Sequence, residues 1–311
     1  MSTTRVAVVP KSSPAIEAAI AAAGAELAPL DDSTQALIVA WGSDVAAVGD
    51  LIESHPAIRL VQLPSAGVDA YTAMMTRVAR PNLTFTSAKG AYSEPVAEHA
   101  LALTLALLRF LPLRARATEW DTDPKGITLF GLNVVIIGAG GIELEYLRLI
   151  EPFRPVVTMV RRRAEAVEGV ARTVTTAELH EVLADADVVM IGAALTGGTR
   201  QLFGAAEFAL MKDAAVLVNI ARGGLVDTDA LVAALAAGEI GGAGLDVTDP
   251  EPLPAGHPLW SEPRAIITPH NADTPEMIIP LFAERLRANI VAVGAAETSS
   301  FVGVVDVEHG Y

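Results

Sequence analysis

Short, unbroken runs of Val, Ile and Leu recur along this chain, separated by amphipathic stretches with helical spacing. A strand with one wet face alternates apolar and polar residues, whereas a strand covered on both faces is apolar throughout. The runs at 6–9, 36–40, 60–63 and 83–86 therefore predict buried parallel strands, with helices at 14–23, 44–54 and 93–109 between them. The pattern restarts after a polar, interrupted stretch at 112–131 that contains Asp123, Pro124 and Gly126. Strands are then expected at 133–137, 156–160, 187–191, 215–219, 242–247 and 265–268. Asp227 opens a helix that Gly238 closes, an acid at the start and a glycine at the end. A last helix starts at Thr274, with Pro275 in its first turn, and runs to about 293; Pro280 is expected to kink it. The fold class that follows is α/β, with two doubly wound parallel-sheet units.

Composition narrows the function. With 51% hydrophobic and 19% charged residues the chain is not a disordered one. Its 22 Lys and Arg against 37 Asp and Glu give a net charge of −15, which argues against nucleic acid or an anionic membrane as the main partner. The absence of cysteine excludes disulfides and thiolate metal sites; it suits the cytoplasm, and no metal site is expected. Residues 1–10 do not read as a signal peptide, and the longest apolar stretch, 100–108, is too short to span a bilayer.

The sharpest local motif is a strand that runs into Gly138-Ala139-Gly140-Gly141-Ile142-Glu143 and then a helix. Gly138 permits a tight turn, Gly140 allows close approach of a pyrophosphate, and Gly141 and Ile142 begin a helix whose free N–H groups favour an anion. Glu143 breaks the motif where a third small residue is usual. Either its side chain swings to solvent or dinucleotide affinity suffers. The next strand is followed by Arg161-Arg162-Arg163, where an acid would suit the ribose hydroxyl of NAD. Arg161 and Arg162 suit a 2′-phosphate instead, so NADP is the expected cofactor, with NAD the alternative.

Further ordered motifs carry a resemblance. They are Ser65-Ala66-Gly67-Val68-Asp69, Glu94-Pro95-Val96-Ala97-Glu98-His99, and the run from Val218 through Ala221-Arg222-Gly223-Gly224 to Asp227. Gly244-Leu245-Asp246-Val247, Pro250-Glu251-Pro252 and Thr268-Pro269-His270 complete the set. Over nearly its whole length the chain resembles the D-isomer-specific 2-hydroxyacid dehydrogenases, the family of glyoxylate and hydroxypyruvate reductases. The resemblance implies a Rossmann-type cofactor domain at 102–273 inserted into a split, flavodoxin-like substrate domain at 1–101 and 274–311. It also implies a homodimer, with 93–120 near the subunit contact.

The expected reaction moves a hydride between a nicotinamide and a small 2-keto or 2-hydroxy acid. Arg222 would fix the substrate with its planar fork of donors. His270 would exchange the proton near neutral pH, and Glu251, placed beside it by the resemblance, would orient it. The same resemblance assigns Ala66 and Gly67 to the substrate carboxylate, and Ala221 and Asp246 to the cofactor. His55, His180, His257 and His309 read as structural, and His99 as a helix or domain-contact residue. The alternative function is a dehydrogenase-like sensor or scaffold that binds NAD(P) with little turnover, which Glu143 keeps open.

Overall fold

The computed structural model describes residues 3–120, 122–295 and 298–307, which leaves His309 outside the described residues. The chain divides into two compact units, Met1–Tyr92 with Thr274–Tyr311, and Ser93–Asp273.

The first unit contains β1 (Arg5–Val9), α1 (Pro14–Ala22), β2 (Glu26–Leu27), β3 (Ala36–Val39), α2 (Val45–Ser54), β4 (Leu60–Gln62), α3 (Thr72–Val78) and β5 (Thr84–Thr86). Its strands form one parallel sheet in the order β2-β1-β3-β4-β5, the flavodoxin-like order. Ser13 caps α1 and Asp44 caps α2, each accepting from N–H groups of the first turn. Leu37, Val39, Ile52, Ile58, Val61 and Met75 fill one face of the sheet. The C-terminal helix α10 (Pro275–Ala295) carries Pro280 within it and packs against α1.

Polar groups lock that return. Gln62, fully buried on β4, accepts from Thr86 Oγ1 and Asn289 Nδ2 at 2.9 Å each, and Asn289 also receives the Val302 N–H at 2.7 Å. Trp41 meets Phe282 edge-on with ring centroids 5.1 Å apart.

The second unit contains α4 (Ser93–Leu108), α5 (Leu111–Ala115), β6 (Asn133–Ile137), α6 (Gly141–Ile150), β7 (Val156–Val160), β8 (Arg172–Val174), α7 (Leu179–Leu183), β9 (Val188–Ile191), α8 (Ala205–Leu210), β10 (Val216–Asn219), α9 (Thr228–Ala237), β11 (Gly242–Leu245) and β12 (Ala265–Ile267). Its seven strands are parallel in the order β12-β11-β10-β9-β6-β7-β8. The order reverses between β6 and β9, and open sheets of this kind bind ligands beyond the strand ends at such a point.

The whole of α4 packs in this unit, so the division falls at 92/93 rather than at the expected 101/102. Gly242 and Gly244 on β11 leave room for Leu103 and Leu107 of α4, and a Cβ at either glycine would press on them at 3.1 Å. A helix cut at 101/102 would part Ala97 and Ala100 from the Leu103 and Leu107 turns that continue the same buried stripe.

A dehydrogenase-like site at the strand ends

Three strands of the second unit lead into the residues singled out from sequence. Arg222 follows β10, Asp246 follows β11, Glu251 lies on the loop beyond it, and His270 follows β12. The strands are apolar and rigid, whereas their C-terminal loops are free to carry polar groups.

The Arg222 loop is clamped from below. Asn219 is fully buried; its Nδ2 donates to the Arg222 carbonyl at 3.0 Å and its Oδ1 accepts the Ala221 N–H at 3.1 Å. Arg222 Nη1 donates to the Ala221 carbonyl at 2.7 Å, which turns the guanidinium back across its own loop. Gly223 is required by close approach, because a Cβ there would overlap the Thr248 carbonyl and lie 2.5 Å from the Asp249 nitrogen. The loop bearing Arg222 is thereby seated on the loop leading to Glu251.

Glu251 and His270 meet directly, Oε1 to Nδ1 at 2.6 Å, with both side chains a little under half exposed. His270 has φ of +51°, left-handed backbone that a histidine adopts only when its surroundings hold it there. The restraint is visible: its N–H donates to the Asp246 and Thr268 carbonyls at 2.8 and 3.0 Å.

Asp246 is 2% exposed, and its carboxylate is spent on the same loop. It accepts from Thr268 Oγ1 at 2.6 Å and from the Asn271 and Ala272 N–H groups at 3.0 and 3.1 Å. Because the Thr268 proton is committed to a carboxylate that only accepts, His99 Nε2 donates to Thr268 Oγ1 at 3.0 Å. Burial pushes the carboxyl of neighbouring Asp273 above its usual range; Asp246 adds to the rise and His270 opposes it.

Asn219 and Thr268 lay within the quoted motifs but were given no role from sequence. The available signal was a polar residue closing each apolar strand run. The other histidines serve locally: His55 Nδ1 contacts the Leu51 carbonyl at 2.8 Å, His180 meets Glu207 at 2.6 Å, and His257 caps a short turn by accepting the Leu259 N–H.

Arg161 and Arg162 follow β7, with Arg161 3.6 Å from Glu165. Ala66 and Gly67 belong to the first unit, on the loop after β4, where Ser65 Oγ donates to the Gly67 carbonyl at 2.6 Å.

The glycine turn lies at the point where the strand order reverses. Gly138 has φ of +113°, open only to glycine, and Gly192 closes β9 beside it by donating to the Ile137 carbonyl at 2.9 Å. Glu143, 4% exposed, folds inward rather than toward solvent. Its Oε2 accepts the Gly140 N–H at 2.9 Å. The strand order and glycines fit a dinucleotide; the carboxylate inside the turn does not fit a diphosphate there.

Known proteins resemble the chain in sequence and in fold. The family model for the D-isomer specific 2-hydroxyacid dehydrogenase, NAD binding domain, matches residues 101–272. This chain belongs to that family. It is accordingly an NAD(P)-dependent oxidoreductase of hydroxy and keto acids. It is 36% identical over 230 residues to the glyoxylate/hydroxypyruvate reductase B of Salmonella newport, covering 71% of this chain and 70% of that one. A D-isomer specific 2-hydroxyacid dehydrogenase from Xanthobacter autotrophicus, solved with NADPH and MES, superposes with a TM-score of 0.85 at 26% identity over 100% of both chains. The NADPH-dependent glyoxylate/hydroxypyruvate reductase from Sinorhizobium meliloti, solved with NADP and sulfate, gives 0.81 at 27% identity over 99% of this chain and 100% of that one.

Proposed function

We propose that this enzyme reduces a small 2-keto acid of the glyoxylate or hydroxypyruvate kind, with His270 as proton donor, and prefers NADPH. The observation that carries the reading is the 2.6 Å pairing of Glu251 with His270 on strand-end loops shared with Arg222. Glu251 accepts from Nδ1, which fixes the ring and leaves Nε2 to exchange a proton with the substrate oxygen. Arg222 holds the substrate carboxylate and carbonyl through its fork of donors. The family resemblance assigns Ala66 and Gly67, on the loop after β4 of the first unit, to substrate binding. A nicotinamide, when bound, supplies or accepts the hydride. Asp246 and Thr268 act through the loop they hold, keeping His270 in its left-handed position.

The NADPH preference draws on Arg161 and Arg162 after β7 and on the named cofactor of the Sinorhizobium relative. Two further readings belong with it: a homodimer, supported by the exposed Leu111, Leu113, Trp120 and Ile127, and a cytoplasmic location, supported by the lack of cysteine. Among the described residues no helix is long and apolar enough to cross a membrane. The buried Glu143 favours a second reading, a dinucleotide-binding sensor with little turnover.

One assay tests these readings. A panel of keto acids is followed at the reduced-nicotinamide absorbance with NADPH and NADH in parallel. The expected result is turnover of glyoxylate or hydroxypyruvate, with kcat/KM for NADPH about tenfold or more above NADH, a difference of about 1.4 kcal/mol in transition-state binding. Absence of turnover with every acid would favour the sensor.

A further inference from the structure

Glu143 is the third residue of α6, in the place where a small side chain normally lets the helix pack close to the sheet. Its carboxylate instead fills the turn itself. A Cβ on Gly138 would overlap Glu143 Oε1, and one on Gly140 would lie 2.9 Å from Oε2. A Cβ on Gly192, across the sheet at the end of β9, would lie 2.6 Å from Oε1 and 2.8 Å from both Cδ and Cγ. Three glycines on two strand ends thus leave the volume that this one side chain takes up.

The group that occupies it is an anion at a helix N-terminus, hydrogen-bonded to a backbone N–H of the phosphate-binding turn. A diphosphate seeks the same donors and the same end of the helix dipole. Two anions cannot share them without repulsion, and the low exposure of Glu143 keeps solvent from screening it.

We propose that Glu143 is an internal competitor for the diphosphate of the nicotinamide dinucleotide, and that the cofactor binds by displacing its carboxylate from the turn. The inference rests on the proposed function only in taking this turn as the cofactor's seat. It makes Glu143 a determinant of cofactor affinity, acting in the apoenzyme as a stand-in ligand that holds the turn ordered. Gly192 belongs to the device, because any larger residue there would force the carboxylate out.

The test is direct binding to the full-length protein. Dissociation constants for NADPH and for ADP-ribose are measured by calorimetry for the parent, Glu143→Gly, Glu143→Ala and Glu145→Ala. Glu145 is an acid of the same helix, paired with Arg148, and its removal controls for net charge. Thermal melting first establishes that each variant is folded. Both Glu143 variants are expected to bind NADPH and ADP-ribose about tenfold or more tightly than the parent, with Glu145→Ala unchanged. Unchanged or weaker binding by folded Glu143 variants would overturn the proposal and leave Glu143 as a helix cap alone. An equal gain in Glu145→Ala would also overturn it. ADP-ribose carries the diphosphate but no nicotinamide, so a gain for it stands even if every keto acid fails as substrate.

Discussion

At the level of single residues, the His270 loop is held by hydrogen bonds to both the backbone and the carboxylate of Asp246. The left-handed backbone at His270 costs of order 1–3 kcal/mol, offset by the bonds that Asp246 and Thr268 supply to the same few residues. His270→Gln should therefore fold normally, retain dinucleotide binding, and lose about 10²–10⁴-fold in kcat, read by steady-state kinetics beside calorimetry. Arg222→Lys should lose about 10²-fold in kcat/KM, because a point charge cannot reproduce a bidentate fork; parental kinetics would remove Arg222 from the scheme. Asp273 contributes a pH dependence of known sign. Its carboxyl is raised by burial first, then by Asp246, so the folded protein holds this proton more tightly than the unfolded chain. That contribution is complete below the unfolded value and is lost as pH rises through the raised one. Asp273→Asn should flatten this part of the stability profile and raise the melting temperature at pH 7.

At the level of elements, α4 and α6 are joined by a polar contact inside an apolar interface. The Tyr146 hydroxyl is fully buried, which pushes it up to about 12, and lies 2.9 Å from Thr104 Oγ1. Thr104 donates in turn to the Ala100 carbonyl at 2.8 Å, so Tyr146 is the donor of the pair. Thr104→Val should cost about 1–3 kcal/mol in chemical denaturation, since it strands a buried hydroxyl. Tyr146→Phe removes the donor as well and should cost less. A larger loss for Tyr146→Phe than for Thr104→Val would contradict this accounting. Of the elements, β2, β8, α3, α5, α7 and α8 went unpredicted, the helices among them being only five to seven residues long. β2 and β8 are edge strands with exposed residues, so neither needs an unbroken apolar run. α3 places Met74, Met75 and Val78 on one side, too short a stripe to stand out as a helical period.

For the whole molecule, the net negative charge and the exposed apolar side chains scattered along 111–130 make separate statements. A net charge of −15 predicts no retention on immobilised heparin at physiological salt. Leu111, Ile127 and Phe130 are about half exposed and Trp120 is 92% exposed, apolar side chains that the homodimer implied by the family resemblance would cover. Light scattering should accordingly give about twice 32.4 kDa, and a Leu111→Glu/Trp120→Asp double variant should run as a monomer. A monomeric parent at micromolar concentration would end the dimer reading.

What the sequence determined by itself was the buried strands and the longer helices. Unbroken apolar runs set the buried strands, with β6 and β7 at their expected limits, because burial on both faces leaves its mark residue by residue. Ordered motifs at strand ends marked Arg222, Glu251 and His270 as candidates, because each motif sits where an apolar run gives way to polar residues. Only the tertiary structure decided what depends on distant neighbours. The seating of Gly223 against the Thr248 carbonyl and the staple of Asp246 on the His270 loop each join groups whose meeting no local pattern encodes. The direction of Glu143 is the clearest case. An N-terminal glutamate on a helix is as compatible with solvent as with the turn, and it was the room left by Gly192 on another strand that turned it inward.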